Sequence, residues 1–176
     1  FGSYYTFPAL LAALLNRVPV VLHEANSIPG KVNRLLSRYA QFTGVHFPAT
    51  ALQMQGKTAL VGMPLRPGFK KGAVSKEEAL GYFNLLNKST LLVFGGSQGS
   101  RAINQAVLQA VKGLQLIHIA GNREDALEAQ AHYQKHAIVA TVKEYETRMD
   151  LAWTAADFAI CRAGAGTISE AIEYEV

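Results

Sequence analysis

Gly95-Gly96-Ser97-Gln98-Gly99 follows an apolar run, Leu91–Phe94, and precedes a segment with helical spacing from Ala102 to Val111. Glycines let a ligand approach the backbone closely, and a helix that follows presents unpaired N–H groups and its positive end. Ser97 adds a hydroxyl donor. That is the chemistry of a phosphate site, and two familiar owners fail on spacing. A dinucleotide fingerprint, G-x-G-x-x-G, needs glycine where Ser97 stands. A P-loop needs Gly-Lys-Ser/Thr, and here Gly99 is followed by Ser100 and Arg101. The bland alternative is a tight turn in which Ser97 merely caps the helix. Its place between a strand and a helix favours phosphate binding.

A second glycine loop, Arg162-Ala163-Gly164-Ala165-Gly166-Thr167-Ile168-Ser169-Glu170, has the same strand-to-helix setting. Two readings stay open. Thr167-x-x-Glu170 has the form of a capping box, or Glu170 accepts both hydroxyls of a ribose. His23-Glu24 suggests a metalloprotease, but H-E-x-x-H fails at Ser27. No D-x-D pair occurs that would chelate a metal diphosphate, so no metal and no cofactor is expected. His118, His132 and His136 read as structural or solvated, and Met149 and Trp153, four apart on one helix, as core.

These loops need a frame. Thr6-Phe7-Pro8 reads as a cap with proline in the first turn of a helix over Ala9–Leu15. A strand over Val18–Leu22, a polar loop from His23 to Gly30 and an amphipathic helix over Lys31–Tyr39 follow, then short strands over Phe42–Phe47 and Ala59–Val61. The segment from Gly62 to Gly68 is rich in breakers, and Ser75-x-x-Glu78 opens a helix with a capping box. From residue 90 strands and helices alternate strictly: strands over Leu91–Phe94, Leu116–Ala120, Ile138–Val142 and Phe158–Cys161, with helices over Ala102–Val111, Arg123–Lys135, Thr147–Ala155 and from Gly166 onward. That order predicts a doubly wound parallel sheet, whose ligands bind at the carboxyl ends of the strands.

Composition narrows the setting. With 49% hydrophobic and 17% charged residues, the 176-residue chain is globular rather than disordered. Its single cysteine, Cys161, excludes a disulfide framework and a cysteine zinc site, and fits a reducing compartment. No apolar run reaches the roughly 18–20 residues of a membrane span, and no signal peptide is visible. Phe1 is not an initiator methionine and Val176 follows a helical pattern, so a piece of a longer chain is expected. Residues 1–71 hold eight of the 17 Lys and Arg but only one acid, Glu24, a net charge of +7, against −3 for the remainder. The first part therefore suits an anionic partner: nucleic acid, a membrane surface or a phosphorylated substrate.

PVVLHEANSIPGKVNR, VGMPLRPGF, VFGGSQGSRAIN and CRAGAGTISE together resemble the MurG family of bacterial glycosyltransferases (glycosyltransferase family 28), in the same order and spacing and across essentially the whole chain. The resemblance implies an α/β fold of GT-B type, two Rossmann-like doubly wound sheets facing a cleft. Residues 1–63 would end the acceptor domain on the membrane side, 64–88 would link, and 89–176 would belong to the UDP-sugar domain. It implies transfer of N-acetylglucosamine from UDP-N-acetylglucosamine to undecaprenyl-diphosphate-linked muramyl-pentapeptide, at the cytoplasmic face of the bacterial inner membrane. The enzyme would be peripheral, beside an anionic lipid surface, with no nucleic-acid partner.

Carried over by position, Asn26 would lie in the cleft on the acceptor side, supported by His23 and Glu24. Arg66 and Ser97, with Gly96, Gln98 and Gly99, would meet the donor diphosphate. Ala165, Gly166, Thr167, Ile168 and Ser169 would line the nucleotide, and Glu170 would hold the ribose. The family contacts uracil through backbone at the segment matching Tyr145-Glu146; Glu146 stands here where an apolar residue is usual, and Ala25 where glutamine is typical. The family's base sits in an N-terminal glycine-rich loop that would precede Phe1, and its glutamine pair would follow Val176, so the chain alone is expected not to catalyse transfer. Competing readings are a UDP-sugar-binding module that needs a partner chain, and an NAD-linked oxidoreductase. The glycine spacing and the absence of an acid about 20 residues on argue against the latter.

Overall fold

The computed structural model describes residues 4–111 and 113–176, which form two compact units divided between Pro64 and Leu65. The first unit carries α1 (Phe7–Leu15), β1 (Val21–Glu24), α2 (Lys31–Leu36), β2 (Phe42–Val45), α3 (Pro48–Ala51) and β3 (Thr58–Leu60). Its three strands are parallel in the order β1-β2-β3. Val20 and Leu22 bury against Val32 and Leu36, so the apolar stripe of α2 covers the sheet. Three expectations shift here. Helix α2 tightens into a 3-10 turn over Ser37–Tyr39, Thr6 makes no side-chain cap on α1, and β1 runs on through His23 and Glu24 instead of ending before them. The proline-started α3 was not anticipated.

The second unit holds α4 (Lys76–Tyr82), β4 (Thr90–Phe94), α5 (Arg101–Ala110), β5 (Gln115–Ile119), α6 (Arg123–Lys135), β6 (Ala140–Lys143), α7 (Met149–Ala155), β7 (Phe158–Cys161) and α8 (Ala165–Tyr174). All four strands are parallel, in the order β6-β5-β4-β7. Every residue of β4 and β5 is buried, as central strands covered by helices on both faces must be. Alternate residues divide the core. Leu92, Phe94, Ile117 and Ile119 meet Leu80, Phe83, Leu151 and Trp153 on one face, while Leu91, Val93 and Leu116 meet Val107, Leu108 and Tyr133 on the other. The strand-helix alternation read from the sequence is present, with α6 and β7 at the limits expected and the others shifted by one to a few residues.

Within the 64–88 stretch, Ser75 Oγ accepts from Glu78 N and starts α4 as a cap. Ala79, Leu80 and Phe83 then join the core of the second unit. The chain moves from β4 through β5 to β6 in one direction, and β7 returns to the other side of β4. The switch point of this sheet therefore lies between β4 and β7.

Candidate functional site

Phe94 and Cys161 are register partners at the carboxyl ends of β4 and β7, so the two glycine loops start side by side across the switch point. The first is held by backbone against backbone. A Cβ at Gly95 would lie 2.2 Å from Ser100 N, and one at Gly99, where φ is +72°, would lie 2.1 Å from Ala120 O. Gly121 beyond β5 closes on Gly99 from the other side, with its own Cβ position 2.2 Å from Gly99 N. Gly99 N donates to Gly96 O at 3.0 Å, leaving Gly96, Ser97 and Gln98 exposed at the tip. Helix α5 starts only at Arg101, with Ser100 at the N-cap position and no side-chain capping bond. Ser97 is thus not the cap, and its hydroxyl stands where a ligand could reach it.

The second loop corrects another local expectation. Helix α8 begins at Ala165 behind Gly164, so Thr167 lies inside the first turn and the Thr167–Glu170 capping box does not form. Ser169 Oγ donates to Ala165 O at 2.9 Å, as hydroxyls within helices do. Glu170 Oε2 accepts from Trp153 Nε1 at 2.8 Å, so an indole fully buried in the core aims this carboxylate. Ala165, Gly166, Thr167, Ile168, Ser169 and Glu170 are all half-buried. The two loops are joined by Arg162, whose Nη2 donates to Gly99 O at 2.9 Å. Neither Arg162 nor Trp153 stood out for this in the sequence: the arginine was visible beside the motif, but its partner lies 63 residues away.

Glu146 follows β6 on the same sheet edge and turns inward, 4% exposed. Its carboxylate accepts from Lys143 Nζ at 2.6 Å, Arg148 N at 2.7 Å and Tyr82 Oη at 3.3 Å. Burial alone would raise its pKa; these hydrogen bonds and the Lys143 charge hold it below the ordinary carboxylate range. The acid is accommodated here because three donors receive it. Arg66 makes no hydrogen bond to either glycine loop among the described residues. It is exposed, with its guanidinium 5.1 Å from the Phe69 ring centroid.

In the first unit, Glu24 is the last residue of β1 and 3% exposed. Oε1 accepts from Asn26 N at 3.0 Å and Asn26 Nδ2 at 2.9 Å, and Oε2 from Gly30 N at 2.8 Å and Asn33 Nδ2 at 2.9 Å. Burial pushes the carboxyl upward, and the four donors outweigh it and lower the pKa. Thr50 Oγ1 donates to the carbonyls of Asn26 and Ser27 at 2.9 and 3.0 Å. Asn26 itself is exposed on the loop these bonds shape. His23 is half-buried on β1, and its Nε2 has no hydrogen-bond partner among the described residues.

A concavity of about 680 Å³ opens at the other edge of the second sheet, lined by Leu108, Gln115, Ile138 and Val139 among others. The exposed backbone at helix starts lies instead at the carboxyl edge, where ligands of such sheets bind. No group of three or more His, Cys, Asp or Glu that could hold a metal ion occurs among the described residues. None of their helices is long and apolar enough to cross a membrane.

Residues 90–176 match the glycosyltransferase family 28 C-terminal domain, and residues 1–45 the family's N-terminal domain. A Protochlamydia amoebophila (strain UWE25) protein named UDP-N-acetylglucosamine–N-acetylmuramyl-(pentapeptide) pyrophosphoryl-undecaprenol N-acetylglucosamine transferase is 51% identical, over 100% of this chain and 48% of its own length. Proteins of the same name from a Nocardioides species and Chlamydia pneumoniae are 41% and 34% identical, over 97% and 100% of the chain and 48% and 50% of theirs. The chain thus spans about half the length of the curated relatives it matches. A crystal structure of Acinetobacter baumannii MurG aligns with a TM-score of 0.71 at 29% identity, covering 99% of this chain and 48% of that one. Its fold class is shared: α/β with parallel sheets.

Proposed function

This chain belongs to glycosyltransferase family 28, and from that premise we propose that it forms part of an inverting transferase. The reaction moves N-acetylglucosamine from UDP-N-acetylglucosamine to the 4-hydroxyl of undecaprenyl-diphosphate-linked N-acetylmuramyl-pentapeptide in peptidoglycan synthesis. One observation carries the donor site: two glycine loops flank the switch point and are tied by Arg162 to Gly99. Backbone N–H groups of Gly96, Ser97 and Gln98 in the turn that Gly99 closes, the Ser97 hydroxyl and the start of α5 receive the diphosphate, and Arg66 adds charge from the Leu65–Phe69 segment. As the anomeric bond breaks, negative charge develops on UDP, and donors already in place stabilise it without reorganising. The first turns of α8, Ala165–Ser169, line the nucleotide. Glu170, aimed by Trp153, accepts the ribose hydroxyls, and the backbone at Glu146 faces the base.

Residues 1–63 supply the acceptor side, with Asn26 held by Glu24, and 89–176 the donor side, with 64–88 linking them. Lys31, Arg34 and Arg38 are exposed on and beside α2, near exposed Leu35 and Tyr39. This mixture suits an anionic lipid surface, and supports a peripheral enzyme at the cytoplasmic face of the membrane that holds the acceptor.

Calorimetry with UDP, UDP-N-acetylglucosamine and NAD tests the donor reading; tighter binding of NAD than of UDP overturns it. Ser97→Ala should weaken UDP more than uridine, because only the former carries phosphate. Glu170→Gln should weaken uridine itself, and unchanged uridine affinity would leave Glu170 only its bond to Trp153.

A further inference from the structure

A buried cluster of four polar side chains in the second unit has no part in the reaction just described: Asn104 on α5, His118 on β5, and Asp125 and Tyr133 on α6, with 2%, 0%, 6% and 2% exposure. Burying such groups is costly unless each finds a partner, and here they find one another. Asn104 Nδ2 donates to Asp125 Oδ2 at 2.8 Å and to Ala120 O at 3.1 Å. That fixes the carboxamide, so Asn104 Oδ1 faces His118 Nε2 at 3.0 Å and this nitrogen carries the hydrogen. His118 Nδ1 then accepts from Tyr133 Oη at 2.8 Å. Asn122 Nδ2 completes Asp125 at 3.0 Å. Burial lowers the His118 pKa to about 4 despite the nearby Asp125, in keeping with a neutral ring.

The network reaches the glycine loop at one atom. Ala120 O, the acceptor of Asn104, is the atom on which Gly99 rests, at 2.1 Å from a Cβ built there. Asn104 also stands in the first turn of the helix that the loop feeds, where its own N–H bonds Ser100 O at 2.9 Å. One side chain therefore ties the helix start, the end of β5 and α6 together behind the cradle.

We propose that Asn104 is a positioning residue for the diphosphate site: it holds the Gly95–Gly99 loop on the Ala120–Gly121 backbone, so the loop's donors stand in place before the ligand arrives. This rests on the donor reading above and deepens it. Asn104 touches no substrate. A loop fixed in advance loses less freedom on binding, so the benefit falls on the phosphate-bearing part of the ligand.

The test pairs Asn104→Ala with a control at the start of β5, the strand beyond whose far end Asn104 bonds Ala120 O. Gln115 is equally buried, 4% exposed, and bonds Leu86 O, Lys88 O and Thr90 Oγ1, so Gln115→Ala removes comparable interactions at the edge away from the loops. UDP and uridine affinities are measured by calorimetry well below each variant's Tm, with amide hydrogen exchange of Gly99 read by NMR. Asn104→Ala should weaken UDP about tenfold, the equivalent of one lost hydrogen bond to a charged group. Uridine should stay within about twofold, because its contacts lie on the other loop. Gly99 should exchange faster in Asn104→Ala and not in Gln115→Ala. If Asn104→Ala fails to fold, Asn104→Ser, which is too short to reach Ala120 O, takes its place. Equal losses for UDP and uridine, equal UDP losses in the control, or unchanged Gly99 exchange overturn the proposal. Should the unsubstituted chain bind no UDP, the donor reading fails, and Gly99 exchange alone still decides whether Asn104 holds the loop.

Discussion

The loops after β1 and β4 both hold irregular backbone at the end of a parallel strand, and they do it by opposite means. After β1 a single buried carboxylate, Glu24, gathers four donors from Asn26, Gly30 and Asn33. After β4 no charge lies inside the loop. Gly95, Gly99 and Gly121 let main chain stack on main chain, and Arg162 and Asn104 secure it from outside. A loop organised by one charge is vulnerable to losing that charge. A loop organised by missing side chains is vulnerable to gaining atoms.

Substitutions sharpen this contrast, beginning with Gly99→Ala. The added methyl would meet a backbone carbonyl at 2.1 Å, at a φ of +72° that L-residues rarely adopt. A loss of about 4 kcal/mol in the second unit is expected, with UDP binding abolished, as read by urea unfolding and calorimetry. Glu24→Gln comes next. An amide sets its own N–H₂ against a donor, and the first unit should lose about 3 kcal/mol, with faster amide exchange at Gly30.

Titration separates the loops further. His118 binds a proton below about 4 when folded, against 6.5 ordinarily. The unfolded chain therefore takes up a proton that the folded chain refuses between these values. Stability of the second unit should be unaffected by this group above pH 6.5, then fall by about 1.4 kcal/mol per pH unit down to pH 4. His118→Gln should flatten that slope. Glu24 acts lower: its folded pKa lies below the ordinary 4.5, so its contribution is present above pH 4.5 and is lost as pH falls through the folded value. A first unit that weakened between pH 6.5 and 4.5 in step with the second would break the contrast. The smallest effect belongs to Gly96→Ala, where φ is +87° but nothing lies within 4 Å. Only backbone strain remains there, about 1 kcal/mol.

Much of the fold was legible because periodicity and burial coincide. The apolar runs of β4 and β5 lie in the centre of the sheet, and the charged pattern from Arg123 to Lys135 forms α6 without adjustment. Helix starts were less legible. Ser75 caps α4 as its spacing predicts, whereas Thr6, Ser97 and Thr167 carry the same residue types and do not cap. Ser, Thr and Glu can satisfy a nearby N–H, a distant one or a ligand, and local sequence does not rank these choices. His23 and Glu24 look like loop residues by polarity, yet pairing with Gly44 and Val45 keeps them in β1. Glu146 reads as a misplaced acid until Tyr82, Lys143 and Arg148 are seen around it.

What the sequence determined by itself is the alternation of elements, the parallel sheet it requires, and two glycine loops at strand ends with spacing that excludes a dinucleotide or triphosphate cradle. These follow from chain-local physics: side-chain period, φ freedom and the reach of short motifs. Tertiary structure alone decided which atoms meet. Arg162 on Gly99 O, Trp153 on Glu170 and Asn104 on Ala120 O join residues 16 to 63 positions apart. A hydrogen bond needs its partners within about 3 Å and well aligned, a condition set by how strands are ordered in the sheet and not by any stretch of the chain.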